Sequence, residues 1–197
     1  LAPQQRFAAG DRQPTLNTAD RAELFELGHD PLQIAERQIL ELVTRYGREA
    51  VRRHMRDLLD YSERMTRAAL RALPDGTFSF EDWIDDDGID VGRPIRLLCT
   101  ITKADDRITV DWTGTSPQVK GAINNTFSFT KAASYTAVKS VISPDIPTND
   151  GVFRAIEVIA PPGTIAHCVL PAACAARGLT GFRMLDCALG ALAMMLP

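Results

Sequence analysis

The sequence predicts an α+β fold: a helical hairpin, then an antiparallel sheet, then mixed strands and helices that form part of a larger parent domain. Apolar residues recur every three or four positions from residue 32 to residue 73, alternate from residue 78 to residue 112, and show both periods again after residue 126. The 197 residues are 45% apolar and 24% charged, which indicates a globular chain with one sizeable core or two small ones.

Residues 1–31 show little periodicity and are interrupted by prolines and glycines, so they are predicted to be a loosely structured entry segment. Residues 32–75 are predicted to form the helical hairpin. Asp30 is placed to cap its first helix and Pro31 takes the first helical position. Gly47 is expected to separate the two helices.

Residues 76–197 are predicted to form the α+β portion of the domain. A strand begins after Gly76, and the chain reverses at Ala104-Asp105-Asp106 between two alternating segments, which is typical of a β-hairpin. The later elements are expected to be a helix over 129–142, a strand over 153–160, an extended segment over 165–170 and a helix from Thr180, as its N-cap, to residue 196.

Charge and hydropathy exclude two classes of partner. The net charge is −3, and acidic residues alternate at helical spacing with the arginines of residues 45–71, which favours an ion-paired helix face over a phosphate-binding patch. No nucleic-acid partner is therefore predicted. The longest apolar stretch, 184–196, contains Asp186 and is shorter than the roughly 20 residues of a membrane span, so no membrane partner is predicted either.

The four cysteines, which have no Cys-x-x-Cys spacing, are predicted to be reduced, buried thiols in a cytoplasmic protein. The chain starts at Leu1 without an initiator Met and stops at Pro197 in a helical run, which indicates a piece of a longer protein.

The residues offer no recognisable metal, nucleotide or nucleophile motif. The three histidines are far apart and lack a second ligand at a metal-binding spacing, and the acidic turn 85–87 lacks the closing glutamate of a calcium loop. The sequence has no phosphate-binding glycine loop and no Gly-x-Ser-x-Gly elbow. Hence no catalytic residue, metal ligand or cofactor is assigned within this stretch.

Two polar stretches interrupt the apolar patterns and are candidates for contact with a ligand or a partner, although turn chemistry alone would also explain them. The first joins a strand end to a helix start, and the second combines a turn with a segment that contains arginine and glycine. The candidates are Thr113, Thr115, Ser116, Asn124 and Asn125 in the first stretch, and Asn149, Asp150, Arg177, Thr180 and Arg183 in the second.

A collinear series of motifs resembles the hydantoinase B/oxoprolinase family, which includes N-methylhydantoinase B subunits and the corresponding subunits of acetone and acetophenone carboxylases. The resemblance covers about residues 32–197. Its motifs are LDYSER at 59–64, LPDGTF at 73–78, VDWTGTSPQV at 110–119, PDIPTNDG at 144–151, IEVIAPPG at 156–163 and AARGLTGFR at 175–183.

The resemblance implies a parent that is an ATP-dependent amidohydrolase, which opens a cyclic amide such as a hydantoin or 5-oxoproline. ATP would activate the amide oxygen by phosphorylation. A hydantoinase A-like partner in a homo- and hetero-oligomer is implied, as are ATP and a divalent metal for the parent complex. The family's metal ligands belong to a region that precedes this stretch, so the stretch alone is expected to be inactive. The alternative is a non-catalytic assembly module, which docks partner subunits in a ketone carboxylase or hydantoinase complex.

Overall fold

The computed structural model describes residues 31–196. The predicted entry segment 1–31 therefore lies, except for its last residue, outside the described residues. Contacts divide the chain into two compact units, Leu1–Met55 and Arg56–Pro197. The domain boundaries predicted at residues 31 and 75 stay predictions.

The described part of the first unit is helical. Helix α1 (Pro31–Tyr46) ends at Gly47, whose φ of +82° is in the left-handed region that glycine adopts without strain. Helix α2 (Arg48–Arg71) begins at the next residue. The two predicted helices and the break between them are thus confirmed, whereas their arrangement as a hairpin stays a prediction.

In the second unit, α2 buries one face, because Ser62, Thr66 and Leu70 recur every four residues and are all fully buried. Leu70 belongs to the main apolar core. Arg67 on the same helix bonds Asp106 at 3.0 Å.

The sheet has four strands in the order β1-β2-β3-β4. Strands β1 (Gly76–Ile84), β2 (Ile95–Ala104) and β3 (Arg107–Asp111) pair antiparallel, as the alternating pattern predicts. Strand β4 (Ile156–Ile159) pairs parallel with β3, so the complete sheet is mixed. Alternate residues of β2 from Ile95 to Lys103 are buried, which places one face of the strand in the core.

Three helices complete the second unit: α3 (Phe127–Val141), the short α4 (Asp150–Phe153) and α5 (Arg177–Met195). Helix α5 packs against β1, β2 and α3. By length and composition α5 is long and apolar enough to cross a membrane, and 44% of that stretch is buried inside the fold.

Three local predictions are wrong. Helix α5 begins at Arg177 after an Ala176 cap that uses no side-chain hydrogen bond, so Thr180 lies inside the helix and is not its N-cap. The predicted strand 153–160 begins only at Ile156, because Asn149 caps α4 by accepting the Gly151 N–H. Residues 165–170 form no continuous extended segment: 165, 166 and 170 lie in turns and His167 makes an isolated bridge to Thr164, since backbone groups of this stretch bond to the loop before α3.

Candidate functional site

Two loops and two helix starts meet at one end of the second unit. The loops are 113–126, between β3 and α3, and 160–176, between β4 and α5; together with the first turns of α3 and α5 they are named the loop junction. Its backbone is tied by hydrogen bonds from Asn125 N to the Ile165 carbonyl at 2.8 Å and from Cys168 N to the Asn125 carbonyl at 2.9 Å. The junction segments contain all five candidates of the first polar stretch and, from the second, only Arg177 and Thr180.

Asn124 holds the first loop to the second. Its Oδ1 accepts the Val119 N–H at 2.8 Å, and its Nδ2 donates to the carbonyls of Val119, Gly121 and Ala173 at 2.8, 2.9 and 3.0 Å. The side chain is fully buried. All of its hydrogen-bonding groups are therefore used inside the fold, and none is left for a ligand.

Asn125 and Thr180 are fully buried polar residues of the junction. Asn125 Nδ2 donates to the thioether of Met184 at 3.0 Å. Within residues 31–196, no hydrogen-bond partner is found for Asn125 Oδ1 or Thr180 Oγ1, although both atoms are buried. A buried polar group without a partner costs about 1–3 kcal/mol, so these two atoms are the candidates with the most unused hydrogen-bonding capacity.

Thr115 and Ser116 are structural. Thr115 Oγ1 accepts a hydrogen bond from the Leu98 N–H at 3.1 Å and donates one to the Leu98 carbonyl. Ser116 Oγ accepts a hydrogen bond from the Arg96 N–H at 2.9 Å. Both side chains thus hydrogen-bond to the N-terminal part of β2, which extends past the residues that pair with β3. Thr113 is exposed.

The second polar stretch does not converge on one point. Asn149 caps α4 and donates to Ser62 Oγ at 2.8 Å, while Asp150 beside it is exposed. Arg177 lies over the Phe129 ring at 5.8 Å, and Arg183 bonds Asp82 of β1 at 3.3 Å. Asn149 therefore contacts α2, whereas Arg177 and Arg183 contact α3 and β1.

His167 and two cysteines complete the junction. The His167 ring stacks on Phe127 with centroids 4.7 Å apart, and its Nδ1 is 2.8 Å from the Ala160 carbonyl. The Sγ atoms of Cys168 and Cys174 are 3.1 Å apart. Sequence reasoning missed this pair, for which the available signal was two cysteines six residues apart in a segment with a proline between them.

In the acidic turn after β1, the Asp87 carboxylate accepts hydrogen bonds from backbone N–H groups. Asp87 accepts hydrogen bonds from the N–H groups of Asp90, Gly121 and Ile89, and these hold its pKa at about 2, below its ordinary value. The Asp87 carboxylate thus holds this loop together through backbone hydrogen bonds, as expected for a turn.

A divalent metal of the kind that the parent would use does not fit these residues. Across residues 31–196, no group of three or more His, Cys, Asp or Glu side chains is placed to hold a metal ion. Neither His167 nor Asp87 belongs to such a group within the described residues. No chemical step is therefore derived through a metal in this stretch.

The sequence profile of the family described as Hydantoinase B/oxoprolinase matches residues 10–197, which extends the resemblance toward the N-terminus. Among curated proteins, the chain is 31% identical over 192 residues to a protein of Pseudomonas sp. (strain NS671) assigned as the B-type component of a D-/L-hydantoinase, with 90% of this chain and 32% of that protein covered. It is 27% identical to the beta subunit of the caprolactamase of Pseudomonas jessenii, with 87% of this chain and 31% of that subunit covered. The chain thus spans about a third of the length of these relatives.

Two solved structures share the fold. The ATP-dependent caprolactamase of Pseudomonas jessenii superposes with a TM-score of 0.75 at 28% identity, over 84% of this chain and 28% of that one. The nucleotide-free acetone carboxylase superposes with a TM-score of 0.68 at 18% identity, over 80% of this chain and 22% of that one. The α+β fold, as part of a larger domain, is thereby confirmed.

Proposed function

This chain belongs to the hydantoinase B/oxoprolinase family, and from that membership we propose that it is part of the B-type subunit of an ATP-dependent enzyme that hydrolyses a cyclic amide. The observation that carries the proposal is the joint sequence and structural similarity to the ATP-dependent caprolactamase, at 28% identity and a TM-score of 0.75. Because this chain spans less than a third of that one, the activity is proposed for the whole protein.

Cyclic-amide hydrolysis is preferred to ketone carboxylation on the same comparison. The caprolactamase is more similar to this chain in both sequence and fold than the acetone carboxylase, whose 18% identity supports the fold alone. The proposed substrate class is a lactam or a hydantoin.

The role of this stretch within the subunit is to supply packed scaffold. Asn124, Thr115 and Ser116 use their polar groups to hold loops and strands together, and the described residues hold no metal cluster. As the family resemblance implies, we propose that the catalytic residues, the divalent metal and ATP are held by other parts of the subunit or by a hydantoinase A-like partner. The free cysteines of the chain support a cytoplasmic location for the complex.

The test is a substrate panel for the full-length subunit together with its partner. ATP consumption should be stimulated by lactams or hydantoins, with release of the ring-opened acid. Stimulation by ketones with bicarbonate alone would favour carboxylation instead, and ring opening without ATP would rule out the proposed reaction class.

An assembly module that docks partner subunits is the second candidate, and the surface of α5 favours it. Leu179, Phe182 and Met194 lie on this helix with 66%, 71% and 61% of their surfaces exposed. Large exposed apolar residues on a helix often mark a protein interface. Co-elution of the full-length subunit with its partner in gel filtration tests this role: Phe182→Asp should abolish co-elution, whereas the neighbouring exposed change Asp186→Asn should not.

A further inference from the structure

We propose that Cys168 and Cys174 are a redox-sensitive dithiol that forms a reversible intramolecular disulfide and so locks the loop between β4 and α5. The proposal rests on the position of these two side chains and does not depend on the reaction that the parent enzyme catalyses. It assigns a modification site to a segment whose cysteines the sequence predicted to be reduced and buried.

The two sulfurs are already neighbours. Their separation is 3.1 Å, so each thiol is within hydrogen-bonding range of the other. A disulfide bond is about 2.05 Å long, so the two sulfurs must approach by about 1 Å to form one. A turn in which Ala172 N donates to the Val169 carbonyl at 3.1 Å brings the two ends of the loop together.

Cys168 and Cys174 are also the two more exposed cysteines of the four in this chain. Cys168 and Cys174 are partly exposed, while Cys99 and Cys187 are fully buried. Burial keeps the Cys99 and Cys187 thiols out of reach of a reagent in solution. Among the four cysteines of this chain, oxidation should therefore be confined to Cys168 and Cys174.

The oxidant is a low-molecular-weight disulfide such as oxidised glutathione. The thiolate of one cysteine attacks a glutathione sulfur, a mixed disulfide forms, and one glutathione thiolate leaves. The second cysteine then attacks the protein sulfur of the mixed disulfide and displaces the second glutathione thiolate. The two protein thiols are oxidised, one glutathione disulfide is reduced to two thiols, and the two protons that the cysteines lose are taken up by the glutathione thiolates.

The rate of this exchange should depend strongly on pH. Burial, followed by the hydrogen bond with Cys174, raises the pKa of Cys168 to about 11. The thiolate is the attacking species, so below this pKa its fraction rises about tenfold for each pH unit.

The disulfide would lock the part of the junction that holds the two buried asparagines. Cys168 N donates to the Asn125 carbonyl, and the Ala173 carbonyl accepts from Asn124. Both contacts lie in or beside the seven-residue ring that the new bond closes. Oxidation should therefore tighten the loop junction without moving its hydrogen-bond partners.

The test uses the full-length subunit in its native complex, treated with oxidised glutathione at pH 8 and then alkylated with iodoacetamide. Trypsin releases residues 155–177 as one peptide that contains both cysteines and no others. The peptide should become lighter by two hydrogen atoms and resist alkylation, and treatment with dithiothreitol should restore two alkylation sites. Peptides that contain Cys99 or Cys187 should stay unoxidised.

The matched controls are Cys168→Ser and Cys174→Ser. Each single variant should give a stable glutathione adduct on the remaining cysteine and no lighter peptide, which shows that the variant is folded with an accessible thiol. Two outcomes overturn the proposal: glutathione adducts on both cysteines of the unsubstituted protein without an internal bond, or a peptide 155–177 that stays fully reduced.

Discussion

Gly151 of α4 lies directly against the backbone of α2, where a Cβ atom at residue 151 would overlap the carbonyl oxygen of Leu59. The same contact region holds the Asn149 side chain, which bonds Ser62 at 2.8 Å. The turn between α3 and β4 is thus docked on α2 through a glycine and an asparagine, two of the residues in the PDIPTNDG motif.

Gly151→Ala should lower the free energy of unfolding by about 1–3 kcal/mol or more, because the added methyl group meets backbone atoms that cannot rotate away. Gly178→Ala is the matched control, since it also changes the second residue of a helix but has open space around it. That change should be neutral or stabilise by up to about 1 kcal/mol through helix propensity. Thermal unfolding of the full-length subunit measures both; equal midpoints for the two variants would contradict the close packing.

Ser134→Ala should destabilise by about 1–3 kcal/mol, because it leaves the indole N–H of Trp112 buried without an acceptor. In the native fold Trp112 Nε1 donates to Ser134 Oγ at 3.0 Å, and both side chains are fully buried. Ser140→Ala on the same helix removes an exposed hydroxyl that bonds only local carbonyls, so it should leave the thermal midpoint nearly unchanged. A midpoint for Ser134→Ala equal to that of Ser140→Ala would show that the buried bond contributes nothing.

Arg67→Met should lower stability by about 2 kcal/mol, because the guanidinium makes charge-assisted hydrogen bonds to two carboxylates. Arg67 Nη2 bonds Glu63 at 2.8 Å and Nη1 bonds Asp106 at 3.0 Å, with only 17% of the Arg67 side chain exposed. Arg37→Met is the control, since Arg37 and Glu41 are 3.9 Å apart and 70% exposed. Arg67→Lys should recover only part of the loss, because a lysine has no fork that reaches both partners. Full recovery by lysine would argue against a role for the guanidinium in bridging Glu63 and Asp106.

Asp87→Asn should remove a stabilisation that depends on pH. The pKa of Asp87 is held at about 2, so the carboxylate stabilises the fold fully above its ordinary pKa, and this contribution is lost as the pH falls from about 4 toward 2. The difference in thermal midpoint between the native and Asp87→Asn subunits should therefore be largest near pH 7 and shrink in that acid range. Asp85→Asn controls for the loss of one charge from the same loop. A difference for Asp87→Asn that does not change with pH would contradict the assignment.

The sequence predicted the β-hairpin because its signals are local. Strands β2 and β3 alternate apolar and polar residues on either side of the Asp105-Asp106 turn, and period and turn together determine the pairing. The parallel pairing of Val110 with Val158 is not local, since β4 follows β3 only after two helices. Nothing in the strand pattern itself distinguishes such a parallel neighbour from an antiparallel one.

The candidate site was predicted less well, because its geometry depends on contacts between distant segments. Asn149 and Ser62 are bonded across 87 positions, and Asn124 reaches Ala173 across 49. The start of α5 was misplaced because Ala176, with no capping side chain, precedes the helix and leaves no sequence signal. Cys168 and Cys174 meet only because the loop that carries them is tied back to residues before α3.

The proposed activity of the parent is tested most directly through its coupling of ATP to ring opening. The decisive measurement is the rate of ADP release from the full-length subunit with its hydantoinase A-like partner, with and without a cyclic amide, alongside detection of the ring-opened acid. We expect ADP release that requires both the partner and the amide and accompanies ring opening. ADP release that is unaffected by every lactam and hydantoin, or that responds only to a ketone with bicarbonate, would contradict the proposal.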